Sequence, residues 1–139
     1  MCRRGPDSSG YYRHVDSRGS NVLLLSTRLK IIDLDDKANQ PFSAGPDVIV
    51  YNGELYNYVE LRSILNGKGV NFRTASDTEV LLNMIRIYGL QALPLCEGMW
   101  AFAHYSESDE VLTLSRDRFG EKPLYTYRDD TGIYFGSEI

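Results

Sequence analysis

Residues 99–105 read Met-Trp-Ala-Phe-Ala-His-Tyr, an almost unbroken apolar run. A strand of that character is buried on both of its faces, so the chain must build a sheet with material packed on either side. The run is far shorter than the roughly 18 apolar residues of a membrane span. The second strong signal is helical. Ser76-Asp77-Thr78-Glu79 fits a capping box, in which Ser and Glu side chains satisfy otherwise unpaired backbone donors. Val80, Leu81, Met84, Ile85 and Tyr88 then recur at helical spacing until Gly89.

Weaker patterns fill in the rest. Residues 58–66 predict a helix with Val59, Leu61, Ile64 and Leu65 apolar. Residues 22–26, 47–51, 111–115, 124–127 and 133–135 predict strands, with turns at 106–109, Phe119-Gly120 and 129–132. Residues 3–10, rich in Gly, Pro and Ser, and the polar stretch 33–46 predict loops. Asn52-Gly53 between apolar flanks is a strong short hairpin signal, because a type I′ turn needs positive φ at both central residues. Many strands and two solid helices indicate an α+β fold, with antiparallel sheet and helices packed outside.

The chain has 139 residues, enough for one domain spanning 1–139 and too few for two. A net charge of -4 argues against a nucleic-acid footprint, which needs clustered Lys and Arg. No membrane span and no secretory leader are expected, since Met1-Cys2-Arg3-Arg4 has no apolar stretch behind it. Cys2 and Cys96 suggest no disulfide framework, which points to a reducing, cytoplasmic compartment. Two His and two Cys are scattered without ligand spacing, so no metal site is expected.

Five dense polar motifs stand at the ends of these elements. They are Arg3-Arg4-Gly5-Pro6-Asp7, Arg28-Leu29-Lys30-Ile31-Ile32-Asp33, Tyr51-Asn52-Gly53-Glu54-Leu55-Tyr56-Asn57, Ser76-Asp77-Thr78-Glu79, and the run from Arg116 to Tyr125, Arg-Asp-Arg-Phe-Gly-Glu-Lys-Pro-Leu-Tyr. In this order they resemble the glutaminase domain of glutamine-hydrolysing asparagine synthetases, a type 2 glutamine amidotransferase and N-terminal-nucleophile hydrolase. The resemblance covers Arg3 to Glu138. It implies a four-layer αββα sandwich of two antiparallel sheets, here expected to lack the first strand and helix.

The resemblance also implies roles. Glutamine needs a cation for its α-carboxylate, an anion for its α-ammonium, an oxyanion hole and a nucleophile. Arg28 matches the carboxylate-binding arginine, which can pair bidentately; by itself it reads as a strand-end surface residue. Leu29 and Ile32, in the same motif, are carried over as substrate-binding positions. Asp77 matches the ammonium-binding aspartate, although Asp in a first helical turn also favours the helix dipole. Asn52 and Gly53 match the oxyanion hole, where Gly allows close backbone approach and positive φ. Glu54 is expected to contribute glutamine contacts. The Arg4-Gly5-Pro6-Asp7 loop reads as structural support. Residues 116–125 read on their own as a turn with a solvated charge cluster. Cys96 reads as a buried core thiol, and His14 and His104 match no catalytic position.

In that family a processed N-terminal Cys attacks the amide, with its own α-amino group as base. Cys2 fits this role only as a processed N-terminus. The strand and helix that precede the Arg-Gly-Pro-Asp loop in the family are missing here, so Cys2 is expected to be a helix-end residue of a fragment. If the natural product starts at Met1, poor solubility or dependence on a partner is expected, because a lost strand opens a sheet edge.

Three functions are carried forward. The first is hydrolysis of L-glutamine to glutamate and ammonia, which a C-terminal synthetase domain absent from this chain uses to make asparagine. The second is an inactive glutamine-binding or interaction module. The third is the glutaminase domain of a related amidotransferase. The expected partners are L-glutamine, the synthetase domain and a second copy in a homodimer. No cofactor is assigned to this chain; ATP and Mg are expected only in the synthetase domain.

Overall fold

The computed structural model describes residues 5–139; Cys2, Arg3 and Arg4 lie outside the described residues. The chain opens with β1 (Ser8–Val15) and β2 (Asn21–Arg28), then β3 (Phe42–Ala44) and β4 (Asp47–Leu55). Helices α1 (Tyr58–Gly67) and α2 (Asp77–Tyr88) follow, then β5 (Gly98–Ser106), β6 (Val111–Arg116), β7 (Tyr125–Arg128) and β8 (Ile133–Gly136). Short 3₁₀ segments lie at Asp36–Ala38 and Gly89–Leu95. All strand pairing between named strands is antiparallel: a β1-β2 ribbon, a four-stranded sheet in the order β3-β4-β5-β6, and a β7-β8 ribbon.

The side-chain alternation of β4 and β5 divides the core. Ile49, Tyr51, Leu55, Trp100 and Phe102 join a cluster with α1 and α2. Val48, Ala103 and Tyr105 join a second cluster with Leu24 of β2, and Tyr12, Val50, Leu112 and Leu114 pack against it. The described residues therefore stack as helices, four-stranded sheet and β1-β2 ribbon. β5 is covered on both faces, as its apolar run requires. α2 buries Val80, Leu81, Leu82, Met84 and Ile85, each contributing about 1.5–3 kcal/mol of apolar transfer.

Four local expectations are corrected. Residues 8–10 belong to β1 rather than to a loop. The stretch 33–46 contains β3 and a 3₁₀ turn. Asn52-Gly53 forms no hairpin turn: β4 runs straight through, pairing Asn52 with Ala101 and Gly53 with Trp100. Pairing along the whole length of β5 outweighs the local turn preference. At α2, Ser76 Oγ accepts from the Glu79 amide at 3.3 Å, but the Glu79 carboxylate does not return to the cap. It accepts instead from the amides of Arg73 (3.0 Å) and Thr74 (2.7 Å), and from Thr74 Oγ1 (2.6 Å). Glu79 thus ties down the entry loop, and Gly89, at φ 60°, closes the helix by donating to Ile85.

Candidate functional site

Asp77, the first residue of α2, is buried, with only 6% of its surface exposed. Its Oδ2 accepts from Tyr51 Oη at 3.1 Å and from the Leu55 amide at 3.0 Å. Burial pushes its pKa above the ordinary carboxylate value, while the hydrogen bonds from Leu55 and Tyr51 oppose that rise. Burial, followed by the Asp77 charge, pushes the Tyr51 phenol well above its usual value, so the hydroxyl stays a donor. A carboxylate held this way suits a small cation.

Arg28, at the end of β2, is also buried. Its terminal nitrogens donate to the Asp35 carbonyl (3.3 Å), Asn39 Oδ1 (2.9 Å), and the carbonyls of Ile32 (3.0 Å) and Asp33 (2.5 Å). It is not a surface arginine; it is the post around which residues 32–39 wrap. Asp33, at φ 59°, accepts from the Asp35 amide (2.9 Å) and from the Ala75 amide (2.6 Å), tying this loop to the entry of α2. Next to Asn39, Gln40 Oε1 accepts from the Tyr51 amide at 2.6 Å, and Gln40 Nε2 donates to Thr78 Oγ1 at 3.3 Å. Arg28, Asn39-Gln40, Tyr51 and Asp77 thus lie along one continuous path.

The other candidate residues fall around this path. Asn52 is exposed and Glu54 is partly buried. Both are in phase with Val48 and Val50, so they face the β1-β2 side, opposite Tyr51 and Asp77. Gly53 is not in the left-handed region, so positive φ is not its reason. A Cβ there would collide with the Met99 carbonyl and lie 2.7 Å from the Tyr51 ring. Gly53 is therefore required by close approach of β4 and β5. Leu29 is 53% exposed, and Ile32 contributes its carbonyl to Arg28.

Two flanking loops brace the site. A Cβ on Gly5 would lie 2.6 Å from the Arg28 amide nitrogen, while the Asp7 amide donates to the Arg28 carbonyl and Asp7 Oδ2 accepts from the Lys30 amide. The Gly5-Pro6-Asp7 segment is thus clamped onto the strand end that carries Arg28. Residues 116–125 connect β6 to β7 with Arg116, Arg118 and Glu121 exposed, as expected, but one of the charges is not solvated. Asp117 is only 6% exposed and accepts from the amides of Phe119 and Glu121 on one oxygen, and of Trp100 and Lys122 on the other. Burial alone would raise its pKa, yet these backbone donors hold it below the ordinary value. Because Trp100 pairs with Gly53, this turn fixes β5 beside the Asn52-Gly53 pair.

Sequence reasoning missed Tyr51, Gln40 and Asp117 as contributors. Tyr51 could have been noticed as the aromatic residue directly before Asn-Gly; Gln40 carries no local signal. Cys96 is buried, its thiol donates to the Ala92 carbonyl at 3.4 Å, and burial pushes its pKa to about 11. His104 bonds Asp47 at 2.8 Å, at the far end of β4. A cleft of about 540 Å³ opens beside Ala75, between Asp33, Tyr58, Arg62, Phe72 and Arg73. A second, of about 840 Å³, lies around Asp47, Arg86 and His104. Arg28, Asn52, Gly53 and Asp77 line neither.

A family model described as "Glutamine amidotransferase domain" matches residues 1–139. The chain is 44% identical over 140 residues to the glutamine-hydrolysing asparagine synthetase 1 of Bacillus subtilis (strain 168), covering 99% of this chain and 21% of that protein. It is 36% identical over 141 residues to the glutamine-hydrolysing asparagine synthetase B of Escherichia coli (strain K12), covering 100% of this chain and 24% of that protein. The chain thus spans about a fifth to a quarter of the length of these relatives. Among solved structures, the glutamine phosphoribosylpyrophosphate amidotransferase of B. subtilis, complexed with ADP and GMP, superposes with a TM-score of 0.70 at 24% identity. That match covers 86% of this chain and 28% of the other, and establishes the fold.

Proposed function

Because the chain belongs to the glutamine amidotransferase domain family, we propose that it binds L-glutamine and hydrolyses it to glutamate and ammonia, for use in asparagine synthesis by a synthetase domain. The observation that carries the reading is the Asp77 carboxylate, buried at the start of α2 and fixed by Tyr51 and Leu55. A buried anion with defined orientation is what the α-ammonium group of a free amino acid requires.

Arg28 is the partner for the α-carboxylate. Both its terminal nitrogens hold loop carbonyls, so carboxylate binding exchanges some of these bonds for a bidentate pair. Leu29, Ile32 and Glu54 complete the contacts around the substrate. Family likeness, rather than a shared cleft, supports the Asn52 amide and the Gly53 N–H as oxyanion donors, since Asn52 faces away from Asp77 across β4; each such donor supplies roughly 2.7–4 kcal/mol of transition-state stabilisation. Cys2 is the nucleophile only where processing exposes it as the N-terminus; as the helix-end residue expected from the sequence it takes no part, and the chain is then the inactive glutamine-binding module. In the processed form the Cys2 thiolate adds to the side-chain amide carbon while its α-amino group takes and returns the proton. Ammonia leaves, and water then cleaves the thioester to release glutamate. These steps call for no cofactor in this chain; ATP and Mg serve the synthetase domain.

No helix among the described residues is long and apolar enough to cross a membrane. The reading places the protein in the cytoplasm, with the synthetase domain and a second copy of the chain as macromolecular partners.

The test is glutamate release from L-glutamine by the chain and by its Cys2→Ala and Asp77→Asn variants. Turnover that Cys2→Ala abolishes and Asp77→Asn severely weakens supports the proposal. A folded, monodisperse chain that releases no glutamate overturns it as hydrolysis, and turnover unaffected by Cys2→Ala overturns the assignment of the nucleophile.

A further inference from the structure

Tyr51 links β4, the Gln40 segment and the first turn of α2. Its ring lies in the core between β4 and the helices, and it is 9% exposed. The hydroxyl donates to Asp77 Oδ2 at 3.1 Å. Its amide donates to Gln40 Oε1 at 2.6 Å, and the same Gln40 side chain reaches Thr78 Oγ1 in the first turn of α2. Past Phe42, where β3 stops pairing with β4, this glutamine side chain supplies the next acceptor along the β4 edge. Its neighbour Asn39 accepts from Arg28. The ring edge of Tyr51 also stands against Gly53, where any Cβ would meet it at 2.7 Å.

From this placement we propose that Tyr51 is a positioning residue for amino-acid recognition: its hydroxyl fixes the Asp77 carboxylate in the orientation that accepts a substrate α-ammonium group. The inference rests on the glutamine reading above and deepens it. A carboxylate on a helix's first residue can rotate toward the free amides of that helix end. Here the Asp77 and Thr78 amides of that helix end do favour the carboxylate, while two donors from β4, the Tyr51 hydroxyl and the Leu55 amide, fix its Oδ2. Removing the hydroxyl leaves the Leu55 amide as the one β4 donor on that oxygen. The carboxylate then turns more freely, and the ammonium group meets it in fewer productive orientations. Loss of one charge-assisted hydrogen bond of this kind changes affinity by roughly tenfold. Nothing in this role touches the amide being cleaved, so the effect belongs to ligands that carry the ammonium group.

The experiment compares two ligands by calorimetry: L-glutamine, and glutaramate, the same carbon skeleton without the α-ammonium. Cys2→Ala serves as background wherever turnover interferes. The unaltered chain is expected to prefer L-glutamine. In Tyr51→Phe, L-glutamine is expected to bind roughly tenfold more weakly while glutaramate binds as before. Equal weakening of both ligands, or no weakening of either, overturns the positioning role while leaving the glutamine reading intact. A parent chain that binds the two ligands equally overturns the glutamine reading itself, and this inference with it. If Tyr51→Phe does not fold, the hydroxyl proton of Tyr51 in the unaltered chain is followed by NMR. It is expected to shift with L-glutamine and not with glutaramate, and a proton that responds to neither or to both overturns the proposal.

Discussion

Asp117 Oδ2 accepts from the Trp100 amide at 3.2 Å, and Trp100 is the residue paired with Gly53 across β4 and β5. A carboxylate in a distant charged turn therefore sets the strand that backs the Asn-Gly pair. Asp77 does comparable work from the opposite side of β4, by accepting from Tyr51 and Leu55. The two carboxylates are both buried, but their surroundings drive their titration in opposite directions.

Burial holds Asp77 above the ordinary carboxylate pKa. Its contribution to stability is fully present below the unfolded-state value and is lost as pH rises through the folded-state value. For Asp117 burial is outweighed by four backbone donors, and the pKa is lowered. Its contribution is present above the unfolded-state value and is lost as pH falls through the folded-state value. Denaturant unfolding from acid to neutral pH should reveal the contrast. Relative to the parent, Asp77→Asn should gain stability as pH rises through the window above the ordinary carboxylate pKa. Asp117→Asn should lose stability as pH rises toward that ordinary value, reaching a deficit of about 1–3 kcal/mol at neutrality. Slopes of the same sign would contradict the assignment.

Gly53→Ala should destabilise the chain by about 1–3 kcal/mol, because its methyl group meets the Met99 carbonyl and the Tyr51 ring. A substitution at Gly67, where a Cβ meets open space, should cost nothing of that kind. Thermal unfolding of Gly53→Ala beside Gly67→Ala checks the pair; equal melting temperatures would show that β4 and β5 do not approach as described.

The helix α2 and the central strand β5 were legible because their burial patterns are written in apolar residues at regular spacing. β1 was not, since its inward positions are Gly10, Tyr12 and His14 rather than an aliphatic alternation. Asn52-Gly53 misled because local turn preference is a short-range signal, and pairing with β5 overrode it. The polar motifs singled out Arg28, Asn52, Gly53 and Asp77 as candidates, but no pattern could reveal which carbonyls Arg28 holds. Nor could sequence distinguish Asp117, surrounded by backbone amides, from its exposed neighbours Arg116 and Arg118. Backbone donors leave no trace in residue type.

Cys96→Ala should leave glutamate release unchanged. Its thiol is buried, donates to Ala92 and has a pKa pushed up to about 11, so it stays protonated near neutral pH. A loss of turnover in a variant that melts like the parent would reassign the nucleophile.

Arg28→Lys should loosen residues 32–39. A lysine ammonium cannot reproduce the fork that holds Ile32, Asp33, Asp35 and Asn39 together. Amide hydrogen exchange should accelerate in that loop and at Ala75, whose amide is held by Asp33. Affinity for L-glutamine should fall by tenfold or more. Unchanged exchange in the loop would show that Arg28 is not its anchor.

The most direct measurement is a titration of the isotopically labelled chain with L-glutamine, following backbone amide shifts by NMR. Saturable changes centred on Arg28, Asn52, Gly53, Leu55 and Asp77, abolished by Asp77→Asn, are the predicted result. Changes confined to the cleft around Asp47, Arg86 and His104, or no response at millimolar ligand, would contradict a glutamine site at the junction of β4 and α2.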